Sequence, residues 1–186
     1  TGFTNLIPGT TYYARVKARN GDILETAYAL LGSTRTRIAA PIAATPAIIT
    51  MTTTTVRAQW SDGGNSSGIR YELQASSNGF AFNLSTDTAL TDATAINLAT
   101  NTSYGVRVRA YNAFGPSSWL TLTNSTFTLA AQPIASALTA VDVTSITASW
   151  FTNTNPAGTQ YEAQASHNSF GQFSSSDTLA SAATVL

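Results

Sequence analysis

The side chains that could act as an acid, a base or a metal ligand are few and scattered along this chain. His167 is the only histidine, and no carboxylate and nucleophile stand near it in the pattern of a hydrolytic triad. The Asp62-Gly63-Gly64-Asn65 run lacks the alternating acids and the terminal Glu of a calcium loop. Glu72 recurs as Glu162, and repetition favours a structural role because a catalytic carboxylate does not need copying. We therefore predict no catalytic, cofactor-binding or metal-ligating residues, and hence no enzyme.

A second kind of chemistry is glycan attachment. The acceptor pattern Asn-x-Ser/Thr occurs four times, on segments with the polar composition of loops and strand faces. We take as candidate glycosylation sites Asn65, Asn83, Asn101 and Asn124.

Charge and composition exclude several partners. The 186 residues carry nine basic and nine acidic side chains, which removes any electrostatic case for nucleic acid. There is no cysteine, so disulfides and thiolate metal sites are excluded. No apolar run approaches the roughly 20 residues that a membrane-spanning helix needs, so we predict no membrane insertion.

The elements that position these side chains belong to an internal repeat of about 92 residues. Residues of the first part recur 92 positions later, for example Leu6, Tyr12 and Val16 as Leu98, Tyr104 and Val108. A second series recurs 90 positions later, with Trp60, Tyr71 and Phe80 returning as Trp150, Tyr161 and Phe170. The chain therefore contains three copies of one unit, and the first and the last copy are incomplete.

Each readable segment of the unit alternates apolar and polar residues with a period of two. Val56, Ala58 and Trp60 alternate with Arg57 and Gln59, as expected of a half-buried antiparallel strand. Turn residues such as Gly and Asn separate these segments at regular spacing, which favours an all-β sandwich.

At these residues the chain resembles the fibronectin type III family, in its tandem, extracellular bacterial or archaeal form. The resemblance includes a Trp on the second strand, a Tyr opening the third, and a Leu-x-x-x-Thr-x-Tyr stretch before the sixth. It implies structural roles for Trp60, Trp150, Tyr71, Tyr161, Leu6, Tyr12, Leu98 and Tyr104. In that family the last Tyr bonds back to the preceding backbone as a tyrosine corner. The resemblance thus implies tandem seven-stranded immunoglobulin-like sandwiches.

The repeat also sets the expected domain limits. Residues 1–38 are expected to supply the last two strands of one sandwich, 39–129 a complete sandwich, and 130–186 the first five strands of a third. Half-sandwiches with open edges do not ordinarily stay soluble alone, so we expect them to be completed. Either a neighbouring copy supplies the missing strands, or the same long chain continues.

The remaining candidates are aromatic. Phe80 and Phe170 are expected in strands, where their rings would pack in the core. Phe114 and Trp119 lie in or beside the loop between the last two strands, and we take them as candidate contact residues. The alternative for both is packing against the neighbouring sandwich.

From these observations we predict a non-catalytic structural segment of an extracellular fibre or surface appendage, whose partners are copies of itself. The alternative is a spacer or a carbohydrate- or surface-binding accessory module of a large secreted enzyme or adhesin. An upstream catalytic domain would favour the spacer, and further copies of the repeat would favour the fibre.

Overall fold

The computed structural model describes the backbone of residues 2–185 and their side chains other than those of Ala140 and Val185. Thr1 and Leu186, the outer limits of the predicted first and third domains, lie outside the described residues. All regular elements in the described part are strands, which confirms the all-β prediction. The same residues include no helix that is long and apolar enough to cross a membrane.

The strands form three groups along the chain. The first group is β1 (Thr11–Val16) and β2 (Ala29–Arg35). The second is β3 (Ile42–Met51), β4 (Val56–Ser61), β5 (Arg70–Ser76), β6 (Leu84–Thr88), β7 (Asp92–Ala95), β8 (Ser103–Asn112), β9 (Gly115–Pro116) and β10 (Leu120–Phe127). The third is β11 (Ile134–Val141), β12 (Ile146–Phe151), β13 (Tyr161–Ala165), β14 (Ser174–Thr178) and β15 (Ala182–Val185). Each group falls within one predicted domain, whose limits stay a prediction.

Backbone contacts divide the chain into two compact units. The first contains the described residues up to Ile49 together with Arg57–Ala95 and Gly105–Asn124. The second contains Thr50–Val56, Ile96–Tyr104 and the described residues from Ser125 onward. The strands β3, β4, β8 and β10 have residues in both units.

The central group forms two sheets. One has the strand order β10-β8-β5-β6, with β9 also pairing with β8, and the other has the order β3-β4-β7. The antiparallel register of β5 and β8 places Leu73 opposite Val108 and Glu72 opposite Arg109. Leu73 and Val108 are fully buried, whereas Glu72 and Arg109 lie partly exposed on the other face. The period of two read from the sequence therefore separates core from surface here.

The outer groups contain fewer strands. In the first unit β1 pairs with β2 as a two-stranded antiparallel sheet, with an irregularity between Ala14 and Arg15. In the second unit the last group forms a sheet of order β11-β12-β15 and a two-stranded sheet of β13 and β14. The prediction of tandem sandwiches with incomplete first and last members is confirmed.

Incomplete packing appears directly in the exposure of residues that the repeat makes equivalent. Leu98 is 4% exposed, but its equivalent Leu6 is 39% exposed. Val108 is 0% exposed, but its equivalent Val16 is 50% exposed. The first group therefore presents to solvent the residues that a complete sandwich buries.

The expectation that Phe80 and Phe170 occupy buried strand positions is wrong. Both lie in turns with positive φ angles of 67° and 68°, and Phe170 is exposed. In each turn a serine hydroxyl, that of Ser76 or Ser166, accepts a hydrogen bond of 2.9 Å from the phenylalanine N–H. The Ser side chain holds the backbone in the turn, and this local chemistry overrides the apolar character of the ring.

Candidate functional site

Two tyrosines close the corners before β1 and β8. The hydroxyl of Tyr104 accepts a hydrogen bond of 2.9 Å from the N–H of Ala99. The hydroxyl of Tyr12 accepts one of 2.8 Å from the N–H of Ile7. Both tyrosines thus form the corner hydrogen bond that the resemblance implies. The structural roles of Leu6 and Leu98 stay a prediction, with Leu98 buried and Leu6 partly exposed.

Two Trp–Tyr pairs anchor the sandwiches. The rings of Trp60 and Tyr71 lie 5.7 Å apart with an interplanar angle of 55°. Trp150 and Tyr161 repeat this arrangement at 5.6 Å and 55°. Trp60, Tyr71 and Tyr161 are buried, and Trp150 is half-buried, so these rings serve packing and are not available as a binding platform.

An asparagine side chain fixes the segment between the first and second strand groups. The Oδ1 of Asn65 accepts a hydrogen bond of 2.8 Å from the N–H of Ala39, and its Nδ2 donates one of 3.0 Å to the carbonyl of Ala39. The hydroxyl of Ser66 donates one of 3.1 Å to the carbonyl of Gly9. The loop after β4 therefore binds the connecting segment at Ala39 and the corner before β1 at Gly9.

The same device holds the segment between the second and third groups. The Oδ1 of Asn155 accepts a hydrogen bond of 2.7 Å from the N–H of Ala131, and its Nδ2 donates one of 2.8 Å to the carbonyl of Ala131. The Nδ2 of Asn101 donates one of 2.9 Å to Thr159 Oγ1. We call the Asn65–Ala39 and Asn155–Ala131 pairs the joint clamps. The repetition of Asn65 as Asn155, 90 positions later, is the signal that sequence reasoning missed.

The four candidate glycosylation sites differ in their surroundings. The Nδ2 atoms of Asn65 and Asn101 donate the hydrogen bonds just described, and a glycan would be attached to these nitrogens. Asn83 and Asn124 are exposed. Glycosylation stays a prediction, and the geometry makes Asn83 and Asn124 its accessible positions.

A stack of cationic and aromatic side chains covers the outer face of β8. The guanidinium of Arg107 lies 3.9 Å from the ring centre of Phe80 and 4.2 Å from that of Trp119. The guanidinium of Arg109 lies 4.3 Å from the Trp119 ring. The candidate contact residue Trp119 therefore packs on its own sandwich through cation–π contacts.

Ion pairs continue this face onto β5 and β6. Arg109 contacts Glu72 at 2.6 Å, and Arg70 contacts Asp87 at 2.5 Å. Partial burial acts to raise the pKa of Glu72, but hydrogen bonds from Gln74 and Arg109 and the Arg109 charge outweigh it and hold the pKa below its ordinary value. The hydrogen bond from Arg70 lowers the pKa of Asp87. Both carboxylates are thus stabilised in the charged form, which suits structural ion pairs rather than acid catalysis.

The first strand group carries an equivalent stack with different residues. The ring of Tyr28 lies 3.9 Å from the guanidinium of Arg15 and 5.0 Å from the Lys17 ammonium. Glu25 forms salt bridges with both Lys17 and Arg19. Tyr28 stacks on the equivalents of the two arginines that contact Trp119, but at the repeat offset of 92 positions Trp119 corresponds to Ala27. The shift by one position and the change of residue type together hid this similarity in the sequence.

The other candidate contact residue, Phe114, is 76% exposed. It borders an open groove of about 930 Å³ whose other wall includes Arg35, 5.1 Å from the Phe114 ring. The groove is lined by hydroxyl and apolar groups and by the two guanidinium groups of Arg35 and Arg37, so it offers a mixed polar and apolar surface for contact.

The remaining candidate for chemistry, His167, is exposed in a turn. Within residues 2–185, no group of three or more His, Cys, Asp or Glu side chains is placed to hold a metal ion. The structure thus brings together the residues of the tyrosine corners, of the joint clamps and of the cation–π stacks. Among the described residues, no acidic side chain forms a salt bridge with His167.

The chain is similar to known proteins in its fold and not in its sequence. No family model and no curated protein sequence matches the chain. A two-domain fibronectin type III segment from chicken tenascin matches with a TM-score of 0.56 and 14% identity, covering 79% of this chain and 82% of that one. The FN1–FN3 domains of chicken CNTN1 match with a TM-score of 0.40 and 15% identity, covering 97% and 68%. A crystal structure of titin domains A168–A170 matches with a TM-score of 0.39 and 24% identity, covering 55% of this chain and 37% of the titin chain.

Antiparallel sheets packed around Trp–Tyr pairs and closed by tyrosine corners define the class of immunoglobulin-like β-sandwich proteins. Within that class the chain has the fibronectin type III fold, in a tandem of which the tenascin segment is an example.

Proposed function

We propose that this chain is a non-catalytic structural segment of an extracellular fibre or surface appendage. Head-to-tail fibronectin type III-like repeats build the fibre, and each half-sandwich is completed by a neighbouring copy or by continuation of the same chain. The observation that carries the proposal is the exposure of repeat-equivalent core residues.

Val16 and Leu6 illustrate the size of the effect. Their equivalents Val108 and Leu98 are buried in the central group, whereas Val16 and Leu6 are substantially exposed. Full burial of such a side chain is worth about 1.5–3 kcal/mol, so covering a whole face of this kind gives a strong driving force for completion. Leu30 and Ile23 add further exposed apolar surface to the same group.

The joint clamps support a repetitive assembly. Asn65 and Asn155 each bind both the N–H and the carbonyl of one residue in a connecting segment. An amide that satisfies both groups of one residue restricts that segment more than a single hydrogen bond would. The same bonds at two successive joints hold the first residues of two successive repeats in the same way, which suits a fibre built from identical units.

A spacer or a carbohydrate-binding accessory module is the second candidate. Aromatic rings bind sugars through an open face, but Arg107 and Arg109 both stack on the ring of Trp119. The exposed ring of Phe114 is the feature that favours such a module. Loss of binding to a polysaccharide in a Phe114→Ala variant, without any change in assembly state, would favour this candidate.

The test of the proposal combines negative-stain microscopy with denaturing gel electrophoresis of native material. Filaments that dissociate to a species of about 19.4 kDa would mean separate subunits that complete one another. Filaments that remain a very large chain would mean a continuous tandem-repeat protein. Monomeric particles without filaments would refute the fibre and leave the spacer.

A further inference from the structure

We propose that β1 of one copy pairs with β13 of a second copy in the antiparallel register that β8 and β5 adopt in the central group. Lys17 of one copy then lies opposite Glu162 of the other. This inference rests on the proposed function and names the strands, the register and the ion pairs of the contact between copies.

The strand edges are complementary. In the central group, β5 lies between β6 and β8, and β8 lies between β5 and β10. The equivalent of β5 is β13, which pairs with β14 and with no other described strand. The equivalent of β8 is β1, which pairs with β2 and with no other described strand. Each therefore offers the backbone edge that the other lacks, and unpaired edges are ready templates for strand addition.

The register between β5 and β8, together with the repeat, predicts which residues of β13 and β1 would lie opposite one another. In the central group Tyr71 lies opposite Ala110, Glu72 opposite Arg109, Leu73 opposite Val108, and Gln74 opposite Arg107. Shifting the β5 residues by 90 and the β8 residues by 92 positions gives the pairs Tyr161 with Ala18, Glu162 with Lys17, Ala163 with Val16, and Gln164 with Arg15. Apolar residues meet apolar residues, and each basic residue meets an acid or an amide.

The net charges of the first and third repeats are also complementary. Residues 1–38 carry five basic and two acidic side chains, a net charge of +3. Residues 39–129 carry four of each and are neutral. Residues 130–186 carry three acidic side chains and no Lys or Arg, a net charge of −3. The neutral chain thus divides into a cationic and an anionic half-sandwich, and opposite charges steer these two surfaces together.

The ion pair of Lys17 with Glu162 follows the Arg109–Glu72 pair of the central group, which spans 2.6 Å. Glu162 accepts a hydrogen bond of 2.7 Å from Gln164, and it forms no salt bridge with any described residue. Lys17 shares the single acid Glu25 with Arg19. One side therefore has an acid without a base, and the other has two bases for one acid.

Asp177 gains a partner by a compensating exchange of residues. Its equivalent Asp87 pairs with Arg70, whose Nε also donates to the Tyr111 hydroxyl at 3.3 Å. In the third repeat Gln160 stands where Arg70 would be, so within residues 2–185 Asp177 has no salt bridge. In the first repeat Arg19 stands where Tyr111 would be. The arginine that pairs with this aspartate therefore precedes β13 in neither copy and instead follows β1, so Asp177 of one copy would lie near Arg19 of the second copy.

Phe170 gains a partner in the same way. Its equivalent Phe80 lies under the guanidinium of Arg107, 3.9 Å from the ring centre. Phe170 is exposed, and the equivalent of Arg107 is Arg15 on β1. Arg15 of the second copy would cover the Phe170 ring and desolvate it, which strengthens the cation–π contact.

A charge exchange tests the register. We expect Lys17→Glu and Glu162→Lys each to weaken association of the full chain by about fivefold to tenfold in sedimentation velocity, because each replaces an attraction by a repulsion. The variant carrying both substitutions should associate nearly as tightly as the wild type. Asp22→Lys, in the exposed loop before Glu25, is the control for a similar change in charge and should lack this coupling.

Cysteine pairing tests the same register independently, because the chain has no cysteine of its own. An Arg15→Cys chain mixed with a Gln164→Cys chain should form a disulfide-linked dimer on mild oxidation, in excess of either chain alone. Tyr13→Cys, two residues from Arg15 on the same predicted face, is the matched control and should cross-link with Gln164→Cys far less.

The outcomes separate this inference from the proposed function. Association without charge coupling and without the Arg15–Gln164 cross-link would refute the register while leaving the fibre. A wild-type chain that stays monomeric at all concentrations would refute pairing between copies, and microscopy of native material would then decide whether a continuous chain forms the fibre.

Discussion

Replacement of Val16 by Asp should disrupt completion of the half-sandwich while leaving the central sandwich intact. Val16 is half exposed in the single chain, so an aspartate there remains hydrated before assembly. In a completed sandwich it would take the fully buried position of Val108. Burying an unpaired charge costs about 3–5 kcal/mol. We therefore expect association between copies to weaken by roughly 10²-fold to 4 × 10³-fold.

Sedimentation velocity over a range of concentrations measures this effect. Val143→Asp is the matched control, because Val143 is 96% exposed and its repeat equivalent is the polar Thr53. Val108→Asp, the same change at the repeat-equivalent core position, should instead unfold the central sandwich, as followed by tryptophan fluorescence. A Val16→Asp chain that associates as strongly as the wild type would refute the argument from exposure.

Three further predictions concern the joints, the ion pairs and the corners. Asn155→Ala should lower the free energy of unfolding by about 1–3 kcal/mol in denaturant melts, because both backbone groups of Ala131 lose their partner, whereas the exposed Asn124→Ala should change little. Folding lowers the pKa of Glu72, so the ionised Glu72 side chain stabilises the protein at pH values above its ordinary pKa of 4.5. This stabilisation is lost as the pH falls through the pKa of the folded state. In thermal melts the stability difference between wild type and Glu72→Gln should therefore shrink over that pH range. Tyr104→Phe should cost about 1–2 kcal/mol in the same melts by leaving an N–H group without its acceptor, and an unchanged midpoint would contradict the corner assignment.

The sandwich itself was predictable because its signals are local and repeated. Alternation around Trp60 and the Leu98–Tyr104 stretch depends on strand period and corner chemistry, and both operate within a few residues. Phe80 was predicted to lie in a strand because its ring is apolar. The prediction did not consider the Ser76 hydroxyl, which accepts a hydrogen bond from the Phe80 N–H and holds the backbone in a turn. Ser76 and Ser166 recur with the phenylalanines, and this repetition was the available signal.

The joints and stacks were less accessible because they depend on residues distant in sequence. Asn65 was interpreted through its glycosylation pattern, whereas its amide binds Ala39, 26 residues away. Trp119 stacks on two arginines of the neighbouring strand, which only the sheet register brings beneath it. The charge difference between the two half-sandwiches is visible in the sequence, but it acquires meaning only once β5 and β8 show which side chains face one another.

The most direct test of the central claim is a cryo-EM reconstruction of the assembled material at a resolution that shows side chains. We expect the open edge of β13 to be occupied by a β1 strand, with Lys17 opposite Glu162 and Val16 buried against Ala163. A filament in which the edge of β13 faces solvent, or is occupied by another segment, would contradict it.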